Sequence, residues 1–160
     1  MKNWALILGI LLVVAATLGC TSNAQSGKQS GNNINFALPD GWELHPMPGE
    51  GTVISMGNDP RIRVIEMKDT QKYNSKHDAA LNIDPKSVTL KKRNETVDGI
   101  KVEIFYTTGG EGDIQDLYFF SKNNKYYYIL AWAYPGWSSK QSIDRQKISE
   151  AVETIVKTIH

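Results

Sequence analysis

The sequence has almost no cysteine, almost no net charge and few histidines. Its one cysteine, Cys20, excludes an intrachain disulfide and a cysteine-rich metal site. Eighteen lysines and arginines stand against seventeen acidic residues, so the net charge of +1 favours neither nucleic acid nor any other polyanion as a partner. Long apolar runs are also missing after the first twenty residues, which excludes a multispanning membrane protein.

The start of the chain has the composition of an export signal. Lys2 precedes an apolar run over residues 4–18, which is short for the roughly 20 residues of a membrane-spanning helix. Small residues then lead to Cys20, and residues 21–33 are polar, with no aromatic residue. We therefore expect a signal peptide over residues 1–19 and a flexible linker over residues 20–33.

The sequence Leu18-Gly19-Cys20 resembles the lipobox of exported lipoproteins, although Thr17 stands where that family usually has leucine. The resemblance implies cleavage before Cys20 and a diacylglyceryl group on its sulfur, which would anchor the protein to the outer face of a cell or envelope membrane. An ordinary secretory signal and an uncleaved anchor are the alternatives. Removal of residues 1–19 takes away Lys2 and leaves seventeen basic against seventeen acidic residues, so the acyl group alone would supply the membrane affinity.

Residues 34–160 have the pattern of one α+β domain. Alternating or β-rich segments occur at residues 34–38, 42–44, 52–56, 61–67, 88–97, 100–106, 114–121 and 125–134. From these segments we expect an antiparallel sheet of about six strands. Asp98-Gly99 and Asn123-Asn124 predict tight turns with positive φ angles between neighbouring strands.

Two helices are expected beside the sheet. Ser75 is the predicted cap of a short helix over residues 76–83, and Ser138 with Gln141 matches a capping box for a long C-terminal helix over residues 139–159. The apolar stripe of the long helix begins at Ile143 or Asp144 and ends at Ile159. Ala131 and Ala133 lie on one face of the last strand, where small side chains let a helix approach closely.

Two motifs of this domain resemble the PsbP-like family. Residues 36–42, Phe-Ala-Leu-Pro-Asp-Gly-Trp, are similar to the opening F-x-x-P-x-G-W motif of that family, and Val97-Asp98-Gly99 before an alternating strand follows its order. The resemblance implies an α/β/α sandwich and a non-catalytic, accessory role. It carries over no catalytic or ligand residues, since Pro39, Gly41 and Trp42 have structural roles in a turn and in packing.

No residue cluster of the sequence predicts catalysis, a cofactor or a metal. His45, His77 and His160 are widely spaced and are expected on the surface. Glu111 and Asp113 lie in the glycine-rich loop over residues 107–113 and Asp116 follows it; these three residues could hold calcium, but they lack EF-hand spacing. A solvated acidic loop is the other interpretation of these three residues.

Two surface features remain. Lys91-Lys92-Arg93, with Lys86 and Lys101 nearby, is a local basic patch that strand alternation divides between both faces. It is interpreted as a solvated edge strand protected by lysine. The aromatic residues of the last strand are mainly core, but Tyr134 and Trp137 at the strand-to-helix turn form a candidate patch for a protein partner. Together these features predict a membrane-anchored, non-catalytic binding module of the cell envelope. The alternative is an envelope protein that binds a small ligand or a divalent metal.

Overall fold

The computed structural model describes residues 34–45, 47–84, 89–136 and 140–160. These residues form one antiparallel sheet and two helices. The strands are β1 (Glu43–Leu44), β2 (Thr52–Ser55), β3 (Arg61–Met67), β4 (Thr89–Val97), β5 (Ile100–Thr108), β6 (Ile114–Lys122) and β7 (Lys125–Ala133). Their spatial order in the sheet is β1-β2-β3-β7-β6-β5-β4. The helices are α1 (Thr70–Leu81) and α2 (Lys140–Thr158). The α+β class with a long C-terminal helix is confirmed, and the described sheet has seven strands instead of about six.

The two short turns form as their residues require. Asp98 and Gly99, between β4 and β5, have φ angles of 50° and 77°, and Asn123 and Asn124, between β6 and β7, have 53° and 59°. Left-handed conformations at both central positions match the right-handed twist of the paired strands. The two turns lie at the same end of the sheet, because Val102 of β5 is opposite Phe120 of β6.

The main core lies between the sheet and α2. On β7, Ala131 and Ala133 are fully buried and face this helix, as do Tyr127 and Ile129. The apolar stripe of α2 packs against them through Ile148, Ala151, Val152, Ile155 and Val156. Ala131 and Ala133 therefore lie on the side of the sheet that packs against α2.

The second face of the sheet carries α1, which begins earlier than the sequence indicated. Its N-cap is Asp69, whose carboxylate accepts a hydrogen bond of 2.8 Å from the amide of Gln71. Ser75 lies inside the helix and does not cap it, so that prediction was wrong. The earlier start brings Tyr73 onto the sheet, where its ring meets Phe119 and Tyr126 at centroid distances of 5.7 and 4.9 Å.

Residues 34–38 form no strand of the sheet, contrary to expectation. Ile34 and Phe36 are buried in the α2 core. The backbone of this segment bonds to the end of α2 instead: the amide of Ala37 donates to Thr158 Oγ1 at 3.0 Å, and the amide of His160 donates to the carbonyl of Asn35 at 3.1 Å. The segment therefore packs along the end of α2, and its sheet-like pairing is limited to an isolated bridge at Ala37.

Several predictions concern residues outside those described. They are the signal peptide over residues 1–19, the lipid attachment at Cys20, the linker to residue 33, and the capping box at Ser138. Among the described residues, neither helix is long and apolar enough to cross a bilayer.

Candidate functional site

Tyr134 is presented on the surface at the end of β7. Its side chain is 63% exposed, the highest value among the described large apolar and aromatic residues that are exposed. Its amide donates a hydrogen bond of 2.7 Å to Asp59 Oδ2, so the turn between β2 and β3 fixes the backbone at this point. Trp137, the other predicted member of the patch, lies outside the described residues.

The structure adds arginines from β3 to this patch. Arg61 is the cross-strand partner of Trp132, and Arg63 is the partner of Leu130. All four side chains are half-buried, and Tyr134 continues their alternation two positions after Trp132. Sequence reasoning missed both arginines, since the pairing joins positions about seventy residues apart. We define the aromatic–arginine surface as Arg61, Arg63, Leu130, Trp132 and Tyr134.

The guanidinium groups of this surface are held in place by loop atoms. Arg61 Nε donates to the carbonyl of Asn58 at 3.0 Å, and its Nη1 lies 3.8 Å from the sulfur of Met47. Arg63 Nη2 donates to the carbonyl of Pro48 at 3.3 Å. Carbonyl partners orient the two cations without neutralising them. Trp, Tyr and Arg are the residues most enriched at the energetic centres of protein interfaces.

A groove of about 400 Å³ lies between residues 37–42 and α2. The amide of Trp42 donates to the carbonyl of Pro39 at 3.1 Å, and Gly41 has a φ angle of 77°, so the F-x-x-P-x-G-W motif closes as a turn. The indole of Trp42 is 4% exposed, which confirms its packing role. The groove is lined by Ala37, Leu38, Pro39, Asp40, Trp42 and Met56, and by Lys147, Glu150, Ala151 and Thr154 of α2. Its apolar base and charged rim suit a small amphipathic molecule.

His77 is not a free surface histidine, which corrects the expectation. Its Nε2 lies 2.7 Å from Glu103 Oε2, and its ring meets Phe105 and Phe119 edge to face at 5.8 and 5.1 Å. Lys92 forms an ion pair with the other oxygen of Glu103. Desolvation raises the pKa of Glu103, but the hydrogen bonds and charges of Lys92 and His77 outweigh it and hold the pKa below its ordinary value. Glu103 is therefore a fixed anion that joins α1 to the sheet.

The other two histidines lie elsewhere. His45 is half-buried and its amide donates to the carbonyl of Val53 at 2.9 Å, whereas His160 is exposed at the end of the chain. Within the described ranges, no three His, Cys, Asp or Glu side chains group as metal ligands.

Asp116 is buried and does not belong to the calcium site that the sequence suggested for Glu111, Asp113 and Asp116. Its side chain is fully buried, and Arg145 of α2 approaches it with Nε 3.2 Å from Oδ2. The amide of Thr107 donates to Oδ1 at 3.0 Å, and Arg145 Nη2 also donates to the carbonyl of Thr107 at 2.7 Å. Desolvation raises the pKa of Asp116 despite these partners. The carboxylate faces the helix, whereas Glu111 is on the exposed loop, so Asp116 does not form a cluster with it.

The basic segment Lys91-Lys92-Arg93 lies on β4, the last strand of the sheet, and all three residues are exposed. Lys92 pairs with Glu103, and Arg93 Nε lies 2.9 Å from Glu95. The edge-strand interpretation is confirmed for these residues. Lys86 lies outside the described residues.

Comparison with family models gives no match, and comparison with curated proteins gives none either. Among solved structures, the chain is similar to the solution structure of cyanobacterial PsbP (CyanoP) from Synechocystis sp. PCC 6803. The TM-score is 0.46 and the identity 13%, over 91% of this chain and 98% of that one. It is also similar to a crystal structure from Bacteroides thetaiotaomicron VPI-5482, with a TM-score of 0.34 and 11% identity over 79% of this chain. The chain covers 44% of the Bacteroides protein. Both similarities are too low to assign a function.

Proposed function

We propose that this chain is an exported lipoprotein of the PsbP-like family, anchored by an acylated Cys20, with a non-catalytic domain that binds another protein of the cell envelope. The observation that carries the binding role is the aromatic–arginine surface. Tyr134 is 63% exposed there although its backbone is held by Asp59. A rigid backbone lowers the entropy cost of presenting an aromatic side chain to a partner.

The position of α1 supports this use of the surface. The Tyr73 ring of α1 packs on Tyr126, in the first half of β7, and the Tyr73 and His77 rings both pack on Phe119 of β6. Leu130 and Trp132, in the second half of β7, are half-buried. On this face of the sheet, α1 therefore lies over the first half of β7, and the aromatic–arginine surface occupies the second half.

Crosslinking in cells tests the binding role. A photo-crosslinking amino acid in place of Tyr134 is expected to capture one defined envelope protein, and Arg61→Ala is expected to reduce that adduct at least tenfold. The matched control places the same amino acid at Ile143, which is 51% exposed on α2. Equal adducts at both positions, or an adduct insensitive to Arg61→Ala, would contradict the proposal.

The anchoring is tested by cell fractionation of Cys20→Ser. The parent protein is expected in the membrane fraction and the variant in the soluble fraction, because two or three acyl chains hold a protein firmly. A variant that stays with the membrane as the parent does would show that acylation is not the anchor.

The groove lined by residues 37–42 favours a second candidate function, a small-ligand binder of the envelope. Its volume of about 400 Å³ accommodates a small organic molecule. Thermal-shift measurements against metabolite and divalent-cation panels test this candidate, with Thr154→Trp as a variant that fills the groove from its half-buried side. A ligand shift that Thr154→Trp removes would support it, and no shift with any compound at millimolar concentration would reject it.

A further inference from the structure

The end of the domain where residue 34 leaves the described fold can be identified from hydrogen bonds. Asn35 and Ala37 bond to the last residues of α2, as described above. Lys122 Nζ donates to the carbonyls of Val156 and Lys157 at 3.0 and 2.7 Å, which places the β6–β7 turn beside the same helix end. The β4–β5 turn is at this end too, by the register of β5 with β6. We call this region the tether end.

Lysines are concentrated at the tether end. Lys101 follows the β4–β5 turn, and Lys122 precedes the β6–β7 turn. Lys68 follows the last residue of β3, Met67, which is paired with Tyr126 at the start of β7. Lys72 lies in the first turn of α1, beside Tyr73, whose ring meets that of Tyr126. Lys68, Lys72 and Lys101 are exposed.

Two acidic residues of the tether end, Glu66 and Glu153, are neutralised by lysine partners of their own. Glu66 Oε2 lies 3.1 Å from Lys125 Nζ, and Glu153 Oε1 lies 2.6 Å from Lys157 Nζ. Asp69 caps α1, and Asp98 lies in the β4–β5 turn. The carboxylates of these two residues are outnumbered by the four further lysines of the tether end, Lys68, Lys72, Lys101 and Lys122. Within the described ranges, no carboxylate forms an ion pair with Lys68, Lys72 or Lys101. The near-zero net charge of the chain therefore conceals a local excess of positive charge.

We propose that the tether end docks on the anionic lipid headgroups of the membrane that holds the protein. This inference rests on the proposed anchoring at Cys20. Thirteen residues, 21–33, separate Cys20 from Ile34. A chain of this length and composition spans about 20 Å on average and about 45 Å at most. Each lysine near an anionic surface strengthens the attraction roughly fivefold, so a few lysines suffice to orient a domain that is already tethered.

Docking at this end directs the aromatic–arginine surface away from the bilayer. Tyr134 follows the last residue of β7, whereas the tether end contains the first. Nine strand residues separate the two ends, which is about 30 Å at the rise of an antiparallel strand. The surface proposed for the protein partner is therefore presented to the outside.

Energy transfer from the anchored protein to a headgroup acceptor tests the orientation. Ser121→Cys and Gln115→Cys introduce labelling sites at the two ends of β6, on one face and both exposed. In vesicles that contain phosphatidylglycerol, a label at position 121 is expected to transfer more strongly than one at 115. In phosphatidylcholine vesicles, or at high salt, the difference is expected to shrink to the small value that the linker alone produces.

A pair of matched variants assigns the effect to the tether end. Lys72→Gln with Lys101→Gln is expected to weaken the oriented state about 25-fold, roughly fivefold per lysine. Lys91→Gln with Lys140→Gln, which removes two exposed lysines elsewhere, is expected to preserve it. Equal transfer from both positions with phosphatidylglycerol, or equal effects of the two double variants, would overturn the inference.

The labelling stoichiometry separates this result from a failure of the anchoring. An acylated Cys20 takes no label, so each variant is expected to carry one label per molecule. Two labels per molecule would refute the acylation and the orientation that depends on it. One label per molecule with equal transfer from positions 115 and 121 would refute the orientation alone.

Discussion

Arg145 and Asp116 form an ion pair that joins α2 to the centre of the sheet. Arg145 Nε lies 3.2 Å from Asp116 Oδ2, and the carboxylate is fully buried. The same guanidinium bonds to the carbonyl of Thr107 at 2.7 Å and to Thr108 Oγ1 at 2.9 Å. One side chain of the helix thus satisfies polar groups of both β5 and β6.

Arg145→Met is expected to lower the free energy of unfolding by about 3 kcal/mol, because it leaves a buried carboxylate without its charged partner. Urea denaturation measures the change. The control is Lys157→Met, which breaks an exposed pair with Glu153 and is expected to lose less than about 0.5 kcal/mol. In the double variant with Asp116→Asn, the loss is expected to be smaller than the sum of the single losses. Additive losses would mean that the pair contributes nothing.

Glu103 is expected to make the stability of the protein pH-dependent in the acid range. Its pKa in the folded protein is lower than the ordinary value of 4.5, so the unfolded chain binds the proton more readily. Its contribution is therefore present above about pH 4.5 and is lost as the pH falls towards the lower folded pKa.

The stability curves of the parent and Glu103→Gln, measured by urea denaturation at several pH values, test this dependence. The parent is expected to be more stable near pH 6, and the difference is expected to shrink as the medium is acidified. Asp116, whose pKa is raised, acts in the opposite direction in both proteins and cancels in the comparison. A difference that is constant with pH would rule out a lowered pKa of Glu103.

Gly51→Ala is expected to be far more damaging than Gly99→Ala. Both glycines have positive φ angles, 87° and 77°. A Cβ at Gly51 would overlap the carbonyl oxygen of Val64, whereas a Cβ at Gly99 would meet no described atom within 4 Å. Gly99→Ala should cost about 1 kcal/mol of backbone strain. Thermal unfolding compares the two, and similar losses would show that the contact with Val64 is not limiting.

Tyr118→Phe is expected to leave the stability unchanged or raise it by up to about 1 kcal/mol, since the buried hydroxyl of Tyr118 has no hydrogen-bond partner among the residues that the structure describes. Burial also raises the pKa of this phenol well above its usual value, so no charge is lost. Tyr134→Phe on the exposed surface is the control and should be neutral. A loss above about 1 kcal/mol at position 118 would indicate a hydrogen bond to this hydroxyl.

The elements that local pattern determines could be predicted from the sequence. Alternation alone assigned Ala131 and Ala133 to the helix side of β7, and Asp98-Gly99 specified its turn. These features depend on residues close together in the chain, where φ preferences and the two-residue period act directly.

Features that depend on distant pairing could not be predicted in the same way. Asp116 resembled a loop carboxylate because its partner, Arg145, lies 29 positions later on another element. His77 resembled a surface residue until its contact with Glu103, 26 positions away, was known. The start of α1 was misplaced because Asp69 and Ser75 are both good caps. The start at Asp69 places Tyr73 in the helix, where its ring packs against Phe119 and Tyr126 of the sheet.

The aromatic–arginine surface shows the same limit. Tyr134 could be predicted as a candidate contact from its place after the last strand. Arg61 and Arg63 could not, because nothing in the sequence reveals that β3 pairs with β7.

The mass of the protein extracted from native membranes shows whether Cys20 is acylated. We expect a chain that begins at Cys20 and carries the added mass of a diacylglyceryl group with attached acyl chains on that residue. A bare residue 20, or a chain that still contains residues 1–19, would contradict it.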